Sequence, residues 1–377
     1  MKRLLIFLFS FLMLISCAKE KYHPLDSNLG NNVKEITIYQ NHGVDKYTKM
    51  TMNTGFSTHL LLGKYKDEYT SRVLLKFTNL PANVSEVISA KLILTGQRVL
   101  GDTLAPSFEA NLYEYTMFWD EGDTVTWTDA SVDPSIVLAS ATVTTDIGDS
   151  TIFELDTQII DKWIDTSRVD ENNGVWIDCE NAEFIKDFHS TETSETSNAP
   201  VLEIEYTPES NPDTLLTYSS YAGDDMFILE DFTDTIIDTS LLYIGAGIGF
   251  HSRLFFDIDS LIEANVSINK ADLELLANPE FSMYDASGFI SLQVSDSAGN
   301  FTAIPTVSAD TARINVTEIV RWWTFKNDSF PNYNISLKST LERSTLDRVA
   351  IYSSTADSTK APRLKIVYST PPNLDLE

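Results

Sequence analysis

The chain is poor in cysteine, in positive charge and in long apolar runs. Only two cysteines, Cys17 and Cys179, occur in 377 residues. A disulfide framework is therefore excluded, and the fold must rest on its core. Lysine and arginine total 27 against 55 acidic residues, a formal net charge of −28. No Lys/Arg cluster interrupts the scattered acids. Binding a phosphate backbone requires cationic neutralisation, so nucleic acid is excluded as a partner, and anionic lipid headgroups would repel this surface. No segment approaches the ~18 apolar residues of a spanning helix. Catalytic signatures are missing as well. There is no G-x-S-x-G elbow and no H-E-x-x-H, and the five histidines are isolated from one another and from cysteine. Paired carboxylates would suit glycoside hydrolysis, but with 55 acids coincidental pairs are inevitable and none is singled out. The expected protein is not an enzyme.

The N-terminus carries a compartment signal. Met1-Lys2-Arg3 precedes an apolar run from Leu4 to Ile15, too short to span a bilayer and shaped like a secretory leader. It ends in Leu14-Ile15-Ser16-Cys17, which resembles the bacterial lipobox. That resemblance implies removal of residues 1–16, acylation of Cys17 and attachment to a membrane by acyl chains. Residues 17–32 read as a tether. The expected location is the bacterial cell envelope, at the outer membrane or cell surface.

The mature chain repeats itself. Ser71-Arg72-Val73-Leu74-Leu75-Lys76-Phe77 returns 181 residues later as Ser252-Arg253-Leu254-Phe255-Phe256-Asp257-Ile258. Ala90-Lys91-Leu92-Ile93-Leu94 returns at the same shift as Ala271-Asp272-Leu273-Glu274-Leu275. Ala199 to Tyr206 returns as Ala361 to Tyr368 after 162 residues. Three blocks in one order indicate two copies of a domain, the second shorter in its middle. Thr207 to Asp213 holds two prolines and no apolar residue, as a linker does. The expected division is 33–207, a linker at 208–213, 214–369, and a tail at 370–377.

Local patterning is strand-like. Leu202, Ile204 and Tyr206 alternate with the outward Glu203 and Glu205, and Leu364, Ile366 and Tyr368 share one face in the second copy, with Lys365 outward. One short helix is expected in each copy, at Leu155–Trp163 and Asn315–Trp323, with Thr157 and Thr317 as N-caps. Ile160 with Trp163, and Val320 with Trp323, share a helix face, which marks these tryptophans as core anchors. The fold class is all-β: two tandem jelly-roll-like antiparallel β-sandwiches, each with one short helix. Gly245-Ala246-Gly247-Ile248-Gly249 lacks dinucleotide-binding spacing and precedes a strand, so it reads as a flexible or bulged loop.

The order of these blocks resembles the DNRLRE domain, a bacterial extracellular β-sandwich also grouped with carbohydrate-binding module family 96. The first copy carries the fuller match, including Trp119-Asp120-Glu121-Gly122-Asp123-Thr124-Val125-Thr126-Trp127, which the second copy lacks. The resemblance implies attachment to an extracellular polysaccharide by the first copy. Sugar binding needs an aromatic face and polar groups for the hydroxyls. Tyr113, Tyr115, Trp119 and Arg98 are the candidates, with Arg72 and Trp127 nearby. Arg72 recurs as Arg253, which suits a structural ion pair. Calcium is the candidate ion, with Asp45, Asp224 and Asp225 as loop ligands. The competing reading is a structural or adhesive surface lipoprotein with a protein partner.

Overall fold

The computed structural model describes residues 33–371 except 41–45, 102–104, 130–131, 169–170, 236, 264, 285–288, 297–301, 304–305, 309–310 and 326–333. The leader, Cys17, the tether and Asp45 lie outside the described residues. The protein is nearly all β. In chain order the first strands are β1 (Val33–Tyr39), β2 (Lys46–Thr51), β3 (His59–Tyr65), β4 (Tyr69–Lys76), β5 (Val84–Gly101), β6 (Ser107–Glu114), β7 (Ala139–Thr144), β8 (Ser150–Leu155), β9 (Val175–Glu180), β10 (Phe184–His189) and β11 (Val201–Pro208). After the exposed turn at 209–213 follow β12 (Leu216–Tyr221), β13 (Asp224–Asp231), β14 (Leu242–Gly245), β15 (Ile248–Phe255), β16 (Ser267–Leu276), β17 (Phe289–Asp296), β18 (Thr302–Ala303), β19 (Thr306–Ser308), β20 (Thr311–Asn315), β21 (Asn334–Ser339), β22 (Arg348–Ile351) and β23 (Arg363–Ser369). Every pair is antiparallel, as the alternating strands and short turns require.

The first sandwich is one curled sheet. The 18-residue β5 joins its layers: its first part pairs with β8 and β11, its last with β10. From β10 the second layer continues through β3, β4, β9, β6 and β7. In the second sandwich β23, β16 and β20 form one layer, and β17, β21, β15, β14 and β22 the other.

Two strand pairs cross the linker. β12 and β13, which follow it, add to β11 and β4 of the first sandwich. β1 and β2, at the start of the described chain, add to β23 and β15 of the second. The additions are equivalent in register: Ile204 faces Tyr218 as Ile366 faces Ile36, and Ser71 faces Leu229 as Ser252 faces Tyr47. The first sandwich therefore consists of β3 to β13, inserted between β2 and β14 of the second. Met226, Phe227 and Ile228 of β13 are all buried, and each such side chain contributes ~1.5–3 kcal/mol.

The main core fills the first sandwich and runs on through Tyr243, Ile248, Phe250 and Leu346; a second core fills the other. The first helix, α1 (Thr157–Ile164), buries Ile159, Ile160 and Trp163. Its N-cap is Asp156 rather than Thr157. The Asp156 carboxylate accepts the Gln158 N–H at 2.9 Å from an extended backbone, the geometry a cap requires. A five-residue helix, α2 (Asp259–Glu263), is additional to the expected pair. In α3 (Thr317–Phe325), Trp323 is buried, and the Thr317 hydroxyl accepts the Ala271 N–H instead of capping its own helix. Residues 245–249 are a buried strand–turn–strand corner, with Ala246 and Gly247 as the turn between β14 and β15, not a flexible loop. Gly247 has φ +75°, and a Cβ there would lie 2.5 Å from Leu346, so glycine is required.

Candidate functional site

Strands β4, β6, β9 and β13 turn Leu74, Tyr113, Trp176, Met226 and Ile228 toward the outside of the first sandwich. The segment after β6 folds over them, and Tyr115 and Trp119 complete a compact cluster. The Tyr115 ring stacks on Trp176 at 6.0 Å and 10°, and its hydroxyl donates to the Asp129 carbonyl at 3.2 Å. The Trp119 indole N–H donates to the Asn173 carbonyl at 2.8 Å. Arg72 lies over Trp127, 3.4 Å from the ring centroid, with Nε 2.7 Å from Asp178, so it is the ion-paired structural residue that its recurrence suggested. The structure thus brings Tyr113, Tyr115 and Trp119 together but buries them, at 8, 1 and 1 % exposure. They hold the overlying segment and offer no sugar-stacking face. Arg98 lies elsewhere: on β5 it pairs with Asp187 at 2.9 Å and donates to the Ser344 carbonyl at 2.9 Å, tying the halves together.

The accessible aromatic is the neighbour of Trp119. Phe118 is 75 % exposed, with the Lys76 ammonium 5.0 Å from its ring centroid. It stands at the rim of an open pocket of about 800 Å³, lined also by Thr78, Asn83, Trp163, Asn172 and Asn173. Lys76 is held by Asp224 at 3.5 Å and by the Trp119 carbonyl at 3.2 Å. A smaller cleft of about 280 Å³ beside Trp127 is walled by β13, Thr51, Met52 and Gly247.

Behind the Phe118 segment three carboxylates converge. The ligand oxygens of Glu121, Glu192 and Asp225 all lie within 4.8 Å of one another. Burial, with Glu192 next, pushes the Glu121 carboxyl up to about 7, and burial raises Asp225 well above the carboxylate range. Asn53 donates to the carbonyls of Glu121 and Asp123 at 2.9 and 2.7 Å. A Cβ on Gly55 would sit 2.5 Å from the Glu121 carbonyl, so that segment can approach only as glycine. Of the predicted calcium ligands, Asp225 joins this group, whereas Asp224 is engaged by Lys76. Glu121 and Glu192 escaped the sequence reading because 71 residues separate them. Cys179 is free; burial pushes its thiol up to about 12, which keeps it protonated and unreactive.

No curated protein matches the chain. Among solved structures, a chain from the work on manganese lipoxygenase of Gaeumannomyces graminis and zonadhesin of Komagataella pastoris aligns at 14 % identity. It covers 76 % of this chain and 84 % of that one with a TM-score of 0.10, which supports no structural argument. Residues 34–206, with the exposed Phe118 and its pocket inside them, match the model of carbohydrate-binding module family 96, a family of non-catalytic binding modules.

Proposed function

We propose that the protein is a non-enzymatic, lipid-anchored envelope protein whose first sandwich holds an extracellular polysaccharide at the Phe118 pocket. The observation that carries this reading is the exposed Phe118 ring over an 800 Å³ opening within the segment that matches the carbohydrate-binding family. A pyranose stacks its CH groups on such a face, while the exposed Asn83 and Thr78 meet its hydroxyls. The net charge of −28 favours a neutral glycan over a polyanionic one. Retention of the protein on a panel of immobilised polysaccharides tests the binding. Phe118→Ala is expected to weaken retention about tenfold, ~1.4 kcal/mol, with an unchanged melting temperature because the ring is exposed. Retention on no polysaccharide by the native protein, or full retention by the variant, would defeat it.

The anchoring is tested separately by growing cells with an alkyne-tagged fatty acid. The native protein is expected to take up the label and sediment with membranes, and Cys17→Ala to do neither. A labelled Cys17→Ala protein would overturn the anchor.

A further inference from the structure

We infer that Glu121, Glu192 and Asp225 form a calcium site that fastens β13 to the loops of the first sandwich.

The three residues come from three separate stretches: the segment after β6, the turn after β10, and β13 itself. Asp225 is fully buried. Its Oδ2 accepts the Thr191 N–H at 2.7 Å, but its Oδ1 has no hydrogen-bond partner. A buried oxygen with nothing to bind is costly, and native structures rarely leave one so. Here it belongs to a carboxylate that converges with two others. Among the described residues no lysine or arginine forms an ion pair with any of the three. Lys76, the nearby ammonium, is spent on Asp224 and the Trp119 carbonyl. Three carboxylates gathered without a counter-charge must either take up protons or hold a cation between them.

The spacing leaves room for a cation of calcium's size. Oxygens bound to one ion at ~2.4 Å can stand up to ~4.8 Å apart, which fits calcium; magnesium, at ~2.1 Å, requires a tighter and regular octahedron. Hard carboxylate oxygens exclude a soft metal, and no histidine or cysteine joins the group. Water completes the coordination from the partly open side, where Glu121 and Glu192 lie. The ion would stand behind Phe118, three residues before Glu121, and so stiffen the rim of the pocket.

The test uses the full chain, stripped with EDTA and titrated with calcium chloride alone. One ion per chain is expected, with an affinity in the extracellular range of ~10⁻⁴–10⁻³ M. The melting temperature should rise by about 3 °C or more at 10 mM calcium. Terbium bound in the same place should luminesce on excitation of Trp119. Glu121→Gln and Glu192→Gln change partly exposed residues and are expected to fold in EDTA, and each should lose both the shift and the terbium signal. Identical melting in EDTA and calcium would overturn the inference. So would a full calcium response in Glu121→Gln, which places the ion elsewhere, or an equal response to magnesium. None of these outcomes bears on polysaccharide retention, so the two readings fail separately.

Discussion

A fragment spanning residues 52–232 is expected to fold by itself, and one spanning 33–207 is not, although the second is the unit that the internal repeat and the family match outline. The first fragment contains β3 to β13, every strand of the first sandwich. The second ends before β12 and β13, leaving β4 and β11 with bare edges. It does carry β1 and β2, which fill the equivalent places in the second sandwich. Their sequences do not fit the vacated ones. By the shared register, Lys46 would replace Ile228, which is 4 % exposed. Burying an unpaired charge there, and losing the apolar residues of β13, costs as much as the ~5–15 kcal/mol that holds a domain together. Circular dichroism melting and size-exclusion chromatography check the outcome. Residues 52–232 should give a cooperative melt as a monomer, below the temperature of the full chain because the junction contacts are gone. Residues 33–207 should aggregate or melt without cooperativity. The reverse result would refute the strand assignment.

Arg348→Ala is expected to cost about 3–5 kcal/mol, the loss typical when one partner of a buried ion pair is removed. Arg348 is 3 % exposed on β22, where its guanidinium lies 2.8 Å from Glu68 and 3.2 Å from the Tyr69 hydroxyl. It thus reaches from the second sandwich into the first. Its removal strands the Glu68 carboxylate, whose side chain is only 13 % exposed, and opens a cavity beside Tyr243. Burial drives the Tyr69 hydroxyl far above its ordinary value, so it stays neutral and supplies no replacement charge. The double variant Glu68→Leu with Arg348→Met removes both charges and keeps the volume; it should recover most of the loss. Urea unfolding of the single and double variants measures this. A loss under 1 kcal/mol in Arg348→Ala would show that the junction does not depend on the pair.

The layers of the fold were legible in the sequence, and the partners of four strands were not. Alternation at Val201–Tyr206 and Arg363–Tyr368 marked strands because one face of each is buried, a local property. The repeat offset of β4 and β15 is the same whichever copy supplies their outer neighbour, so the repeat could not reveal that β2 and β13 lie on opposite sides of the linker. Asp156 was overlooked as a cap because Thr157 beside it is an equally good capping residue by type; only the backbone angles separate them. At the candidate site, the aromatics singled out in the sequence are the buried ones, and the exposed ring is a neighbour that was passed over. Trp119 and Phe118 are adjacent, and adjacent residues of an extended segment face opposite ways. The indole found a carbonyl inside, and the phenyl, without a polar atom, was left on the rim. The carboxylate group is a product of folding alone: Asp225 was visible as a loop acid, but nothing local ties it to Glu121 or Glu192.

The pairing of β1 with β23 sets Val33 beside Ser369. A pull on the N-terminal side of the chain, with the Phe118 pocket gripping a fixed polymer, would run through β1 and β2 before reaching β3. The second sandwich would then take the strain first, along the seven paired residues of β1 and β23 and the six of β2 and β15. Its role would be that of a shock absorber: it could lose its outer strands while the gripping sandwich, complete in β3 to β13, stayed closed.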